Sequence, residues 1–197
     1  MTYTTDDDIA PVTWQPPRVL GVIVAVLAAA GLVAACFSHR WLITDQLGYS
    51  PLQAERCSPD CTRSSNFQVF ETARKLPFEE DRVARAFPVA GAVAFAALLL
   101  GAAGLLVAAG IAAANRHPDL PVAPTTISLV GIMLGLISGC VFVGTRPGAP
   151  GSVALSWSFW LFGLGAVAGI AATHLLARQI RPRDPDLLHD AMNLDQF

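Results

Sequence analysis

Charged residues are scarce in this sequence. Asp, Glu, Lys and Arg together make up 14% of the 197 residues, whereas an ordinary soluble domain carries about 25%. The formal net charge is −2, so the chain lacks the basic excess with which nucleic-acid-binding proteins hold phosphates. The composition therefore excludes a soluble globular enzyme and a nucleic-acid binder.

Four apolar runs contain no Asp, Glu, Lys or Arg at all. They are residues 19–37, 87–114, 127–143 and 153–176. A hydrocarbon core about 30 Å thick needs roughly 20 apolar residues in a helix. The sequence therefore predicts an all-α integral membrane protein, in which four transmembrane helices form a bundle within the lipid bilayer of the cell (plasma or inner) membrane.

The segments between the runs predict the domain organisation. The transmembrane domain, 19–176, contains a large first loop, 38–86, and lies between a disordered tail, 1–18, and a second polar tail, 177–197. Four spans place both tails on one side. Lys and Arg number five on the tail side and eight on the loop side, a count that by itself favours the loop inside. We nevertheless expect cytoplasmic tails and an extracytoplasmic first loop, because two of the four cysteines lie in that loop and because of the resemblance described below.

Glycines recur at four-residue spacing in the last two runs. Gly131, Gly135 and Gly139 share one helix face, and Gly165 and Gly169 repeat the spacing. Between helices in lipid, close backbone approach over small residues supplies much of the packing. We expect these glycines to pack inside one four-helix bundle, with self-association through the third span as the alternative.

Groups that serve ion or proton transport are few within the runs. Only His174 is a candidate, and it lies near the end of the fourth run, where we interpret it as an interfacial residue rather than a proton site. Trp157 and Trp160, together with Trp14 and Trp41 beside the first run, fit an interfacial aromatic belt.

The first loop contains one chemical motif, Cys57-Ser-Pro-Asp-Cys61. In an oxidising compartment such a pair tends to form a disulfide, and a structural disulfide is the favoured interpretation. A reactive pair is the alternative, although redox pairs typically use the tighter C-x-x-C spacing. Zinc binding would recruit His39, but no fourth ligand is evident. No metal or cofactor is predicted.

Two stretches of the first loop are rich in β-branched and aromatic residues, 41–44 and 67–70. They predict strands of a small antiparallel sheet that rests on the outer face of the bundle. Further along, Pro77 and the acids that follow it are typical of a helix start. We therefore expect the second helix to begin near Phe78 and to contain an Asp81–Arg85 pair.

This layout resembles the claudin and peripheral-myelin-protein superfamily, which has four spans, cytoplasmic tails and a large first extracellular loop. Trp41 matches the tryptophan that follows the family's first span, Cys57 and Cys61 match its disulfide pair, and Arg85 matches the arginine entering its second span. The family's Gly-Leu-Trp motif is absent, the cysteines are closer together, and the second span is the long one instead of the third. The resemblance implies a claudin-like form, without implying a tight junction or a pore.

Three hypotheses about function follow. The first is a non-enzymatic membrane protein whose first loop engages a membrane-protein partner, a cell surface or a second copy. The second is a membrane thiol–disulfide oxidoreductase that uses Cys57 and Cys61. The third is an accessory subunit of a membrane transporter complex.

Overall fold

A computed structural model describes residues 16–38, 40–44, 47–57, 60–75, 84–114, 122–146 and 153–180. The helices within these ranges are α1 (Pro16–Phe37), α2 (Asn66–Ala73), α3 (Ala86–Ala114), α4 (Val122–Gly144) and α5 (Trp157–Ile180). Four of them, all except α2, are long and apolar enough to cross a membrane. The predicted set of four apolar helices is therefore confirmed.

The helix bounds differ from the apolar runs at several ends. α1 and α5 extend into the predicted tails, and the rest of both tails lies outside the described residues. α4 begins at Val122, five residues before the predicted 127, and this start leaves Pro124 in the first helical turn, where proline is tolerated. α5, the fourth of the long helices, begins at Trp157 and not at 153, because Ala154 and Leu155 form a strand.

The expected start of the second long helix near Phe78 is wrong. Ala84 and Arg85 are not helical, and α3 begins at Ala86. A helix continuing through this point would set the ring of Pro88 against the carbonyl of Ala84, four residues earlier. Starting at Ala86 leaves Pro88 in the first turn, where no such clash arises. Phe78 and Asp81, and with them the predicted Asp81–Arg85 pair, lie outside the described residues.

The four long helices form a closed ring. α1 packs against α3 and α5, α4 packs against the same two helices, and the α3–α4 pair is the most extensive. The core between them contains many small side chains, and its fully buried alanines include Ala25, Ala29, Ala94, Ala166 and Ala172. Small residues let the backbones approach closely, which is how helices pack in lipid.

A five-stranded antiparallel sheet lies at one end of this ring. Its strands are β1 (Leu42–Ile43), β2 (Leu47–Tyr49), β3 (Gln53–Cys57), β4 (Cys61–Ser65) and β5 (Ala154–Leu155), in the order β4-β3-β2-β1-β5. Because β5 follows α4 and pairs with β1, the sheet joins the first and third interhelical loops. We call the sheet with α2 the sheet module. The predicted small sheet is confirmed.

One of the two predicted strands is a helix instead. Leu42 and Ile43 form β1 as expected, but residues 67–70 lie within α2. Ser65 caps this helix: its hydroxyl accepts from the backbone N–H of Gln68, while the Gln68 side chain accepts from the Ser65 N–H. This capping box satisfies two backbone donors at the helix start, and it outweighs the strand propensity of the aromatic residues.

Candidate functional site in the sheet module

Trp41 attaches the sheet module to the bundle. Its side chain is fully buried, its indole Nε1 donates to the carbonyl of Ala35 at 2.7 Å, and its ring stacks on Phe162 with a centroid separation of 4.8 Å. The prediction that Trp41 belongs to an interfacial belt is therefore wrong. The indole joins the end of α1 to α5: its N–H, the one polar group of the buried ring, is satisfied by the Ala35 carbonyl of α1, and its face packs on Phe162 of α5.

Further aromatic rings extend this attachment across the end of the bundle. Phe142 of α4 meets the edge of Trp41 at 6.1 Å and stacks on Phe87 of α3 at 4.5 Å. Phe87 in turn meets the edge of Tyr49 at 5.6 Å. Such stacked and edge-to-face pairs add to the stability that area burial provides. Tyr49, on β2, is thereby held against the second residue of α3.

The backbone of Trp41 also joins the two loops. Its N–H donates to the carbonyl of Tyr49 at 2.7 Å, and its carbonyl accepts from the N–H of Ser156 at 2.9 Å. Ser156 directly precedes α5. One residue thus links the strands of the first loop to the strand of the third.

A buried asparagine fixes α2 beside the sheet. Asn66, 1% exposed, donates from Nδ2 to the carbonyls of Ser50 at 2.8 Å and Pro51 at 3.0 Å. The Pro51 carbonyl in turn lies so close to Gly91 of α3 that any Cβ at Gly91 would collide with it. The start of α2 therefore contacts the turn after β2, and that turn contacts the start of α3.

Cys57 and Cys61 form a disulfide across the last registered pair of β3 and β4. Both cysteines reach the surface, since Cys57 is half-buried and Cys61 is exposed. A carboxylate oxygen of Glu55 lies within 4.8 Å of both sulfur atoms, which is close enough for three ligands of one metal ion. However, sulfur atoms bonded to each other are not the thiolates that zinc requires. His39 lies outside the described residues.

One face of the sheet carries an ion-pair ladder. The carboxylate of Glu55 accepts from Nε of Arg63 at 3.2 Å and from Nε of Arg40 at 3.4 Å. These hydrogen bonds hold the pKa of the Glu55 carboxyl below its usual range, and the bond from Arg63 has the larger effect. The stem of Arg40 crosses Gly48, where a Cβ would lie 2.9 Å from Cγ of Arg40. Glycine at this position lets the arginine reach across β2 to β3.

The other face of the sheet forms a groove with α2. Its lining consists of Leu47, Tyr49, Ala54, Arg56, Thr62, Ser64, Gln68, Val69, Thr72 and Ala73, and its volume is about 360 Å³. Burial raises the pKa of the Tyr49 hydroxyl, and nearby Arg56 partly opposes that effect. No local pattern in the sequence predicts this groove, because three separate strands and the helix α2 form its walls.

The predicted packing glycines lie between helices of the same chain. A Cβ on Gly131 would lie 2.6 Å from the backbone nitrogen of Gly101 in α3, and one on Gly135 would lie 2.8 Å from Cγ of Leu98 in the same helix. The other three positions contact different neighbours. Gly139 faces Phe162 and Trp41, Gly165 faces Leu32, and Gly169 faces Ile132 and Leu105.

Other predicted residues lie on the outside of the bundle. Trp157 and Trp160 are 67% and 62% exposed, as a belt at the membrane surface requires. His174 and Arg85 are exposed as well. Trp14 lies outside the described residues.

The sequence matches no protein-family model and no curated protein.

Proposed function

We propose that this chain is a non-enzymatic, multi-pass integral membrane protein, claudin-like in form, whose sheet module engages another protein at the cell surface. The observation that carries the proposal is the pairing of β1 with β5, Leu42 with Leu155 and Ile43 with Ala154. It unites both loops at one end of the bundle into a single surface. The buried Trp41 then fixes that surface to the helices.

Exposed apolar side chains on the sheet module support a protein partner. Phe67 of α2 is 49% exposed, and Leu52 and Leu155 are each 37% exposed. Unlike the exposed side chains along the four long helices, these three belong to the end that carries the sheet. Aromatic residues at the surface are typical of the centres of protein interfaces.

The partner can be tested by site-specific photo-crosslinking in cell membranes. A photoreactive amino acid at Phe67 should give a discrete protein adduct that sequencing can identify. The same residue at Leu164, which is 70% exposed within α5, serves as the lipid-facing control. A discrete adduct from Phe67 alone supports the proposal, and a transporter in that adduct would assign the accessory-subunit role. Absence of any adduct from Phe67 and from a second site at Leu52 would contradict the proposal.

The proposed orientation places the sheet module outside and both tails in the cytoplasm. An impermeant thiol reagent, applied to intact cells after reduction, should then label Cys57 and Cys61. Cys140 is exposed and Cys36 is buried in the helices, so the measurement needs a background in which both are alanine. Labelling only after permeabilisation would reverse the orientation.

One observation favours the thiol–disulfide oxidoreductase as a second candidate. Nη2 of Arg40 lies 4.0 Å from Sγ of Cys57, and a nearby guanidinium favours the thiolate form of a reduced cysteine. In the reduced pair, the Cys57 thiolate would attack a substrate disulfide, which forms a mixed disulfide and releases one substrate thiolate. The Cys61 thiolate would then attack Sγ of Cys57, which forms the Cys57–Cys61 disulfide seen in the structure and releases the second substrate thiolate. A dithiol reductant would return the pair to its reduced state by the same exchange. Cys61→Ser should trap the mixed disulfide on a non-reducing gel. An adduct that disappears when Cys57 is also changed to Ser would favour this enzyme over the interaction protein.

A further inference from the structure

The groove between the sheet and α2 combines an apolar floor with a single cation. Residues two apart on a strand share a face, and the register aligns Leu47 with Arg56 and Tyr49 with Ala54. From α2, Val69 and Ala73 complete the apolar wall. The volume of about 360 Å³ is in the range of small-ligand sites, which are mostly apolar with a few placed polar groups.

The charge in the groove is unbalanced. Arg56 is the one charged residue of its lining, and among the described residues it has no ion pair. The two arginines on the opposite face, Arg40 and Arg63, both contact Glu55 instead. A carboxylate is the complement of a guanidinium, because the two can form parallel charge-assisted hydrogen bonds.

The position of the groove indicates how an apolar ligand would reach it. Tyr49 lines the groove and also contacts Phe87, the second residue of α3. α3 is one of the four helices long and apolar enough to cross a membrane. The floor of the groove therefore lies next to the end of a span, where the chains of membrane amphiphiles are close by.

We infer that this groove binds a medium-chain amphipathic carboxylate of the free fatty acid class. The carboxylate lies on Arg56, and the hydrocarbon chain lies against Tyr49, Ala54 and Val69. This site goes beyond the proposed protein interaction and does not depend on it, since the residues of the groove differ from Phe67, Leu52 and Leu155.

The test uses the full chain in nanodiscs of zwitterionic lipid. The probe is a twelve-carbon fatty acid that carries a diazirine near its methyl end, and labelled peptides are mapped by mass spectrometry. We expect label on β3, β4 or α2. Lauric acid present during irradiation should prevent that labelling, and lauramide, its uncharged amide, should compete about tenfold less well. Label confined to the four long helices, or equal competition by lauramide, would overturn the inference.

Two matched arginine variants test the role of the charge. Arg56→Gln should weaken competition by lauric acid about tenfold and bring it to the level of lauramide. Arg74→Gln, at an exposed position just after α2 and outside the lining, should behave as the parent protein. Equal binding by Arg56→Gln and the parent would overturn the inference.

A third variant removes the space instead of the charge. Ser64 lies half-buried on β4 in the groove lining, and Ser64→Phe would fill the groove with a side chain that strands favour. Labelling of the sheet module should fall while amide hydrogen exchange in β2 and β3 stays as slow as in the parent protein, which shows that the module has folded. Undiminished labelling in a folded Ser64→Phe variant would place the ligand elsewhere and overturn the inference.

Discussion

The bundle and the sheet module are stabilised in different ways. In the bundle, backbones meet over small residues, as where Gly131 of α4 faces Gly101 of α3. The sheet module is held together by polar contacts at defined positions. The amide of Asn66 donates to two carbonyls, and the carboxylate of Glu55 accepts from two guanidinium groups. Close backbone approach over small residues is the kind of packing that helices use in lipid, whereas a small sheet that buries few apolar side chains depends on satisfying its polar groups.

Trp41 lies where the two regions meet. Its indole hydrogen-bonds to α1 and stacks on α5, while its backbone pairs with β2 and with Ser156. We therefore expect mutations in the three places to differ in how much of the structure they affect. Changes to the bundle should remove the fold, changes at Trp41 should separate the regions, and changes within the sheet module should stay local.

The largest effect is expected from Gly131→Leu. Its side chain would run into the backbone of α3, with Gly101 N at 2.6 Å and Ala97 O at 2.8 Å from the new Cβ. Backbone cannot move aside as a side chain can, so the cost should exceed the ~1–3 kcal/mol of ordinary overpacking. We expect little folded protein in detergent, measured as the monodisperse yield on size exclusion.

Two further leucine variants make that test specific. Gly135→Leu meets the flexible side chain of Leu98, so its yield should fall less than that of Gly131→Leu. Val130→Leu, at a position 56% exposed on the same helix, should leave the yield unchanged. Equal yields for all three would mean that this face of α4 does not pack against α3.

The second effect in size should come from Trp41→Ala. Loss of a fully buried aromatic side chain costs about 3–5 kcal/mol in a packed core, and the indole hydrogen bond to Ala35 is lost with it. We expect α3 and α4 to keep their slow amide hydrogen exchange while exchange in β1 and β2 becomes fast. Trp157→Ala, at a position 67% exposed, is the control and should change neither. Uniformly faster exchange in both regions would mean that the bundle depends on the sheet module.

A smaller effect should follow protonation of Glu55. Because its pKa is lowered in the folded protein, its contribution to stability is complete above the unfolded value, about 4.3, and is lost as pH falls through the lower folded value. In NMR spectra the Nε–H signals of Arg40 and Arg63 should shift together below about pH 4.3. Glu55→Gln should abolish that step, whereas Glu71→Gln, at an exposed position on α2, should retain it. A persistent step in Glu55→Gln would assign the titration to another acid.

The sequence predicted the bundle better than the sheet module, for a physical reason. An apolar run without charge and a four-residue glycine spacing are local patterns, and each reports on one helix by itself. The contacts of the sheet module join residues far apart in the chain: Arg40 with Glu55, Trp41 with Phe162, Leu42 with Leu155. No local spacing encodes those pairs.

One local signal in the sequence does predict α2. Ser65 and Gln68 have the spacing of a capping box, which predicts the start of α2 where aromatic content indicates a strand. The polar strands β3 and β4 carry no comparable signal, because Ala54 is their only buried residue and half of their side chains are exposed. Their pairing depends on the register that the Cys57–Cys61 turn permits.

The smallest effect on the bundle should come from removing the disulfide. A cross-link stabilises a protein largely by restricting the unfolded chain, and the benefit decreases as the closed loop shortens. Only three residues separate Cys57 from Cys61, so Cys57→Ser/Cys61→Ser should leave thermal unfolding of the helices nearly unchanged. Amide exchange should increase in β3 and β4 alone, because the bond holds the end of that pair. A large fall in the unfolding temperature of the helices would contradict the separation of the two regions, since the disulfide would then stabilise the bundle from a distance.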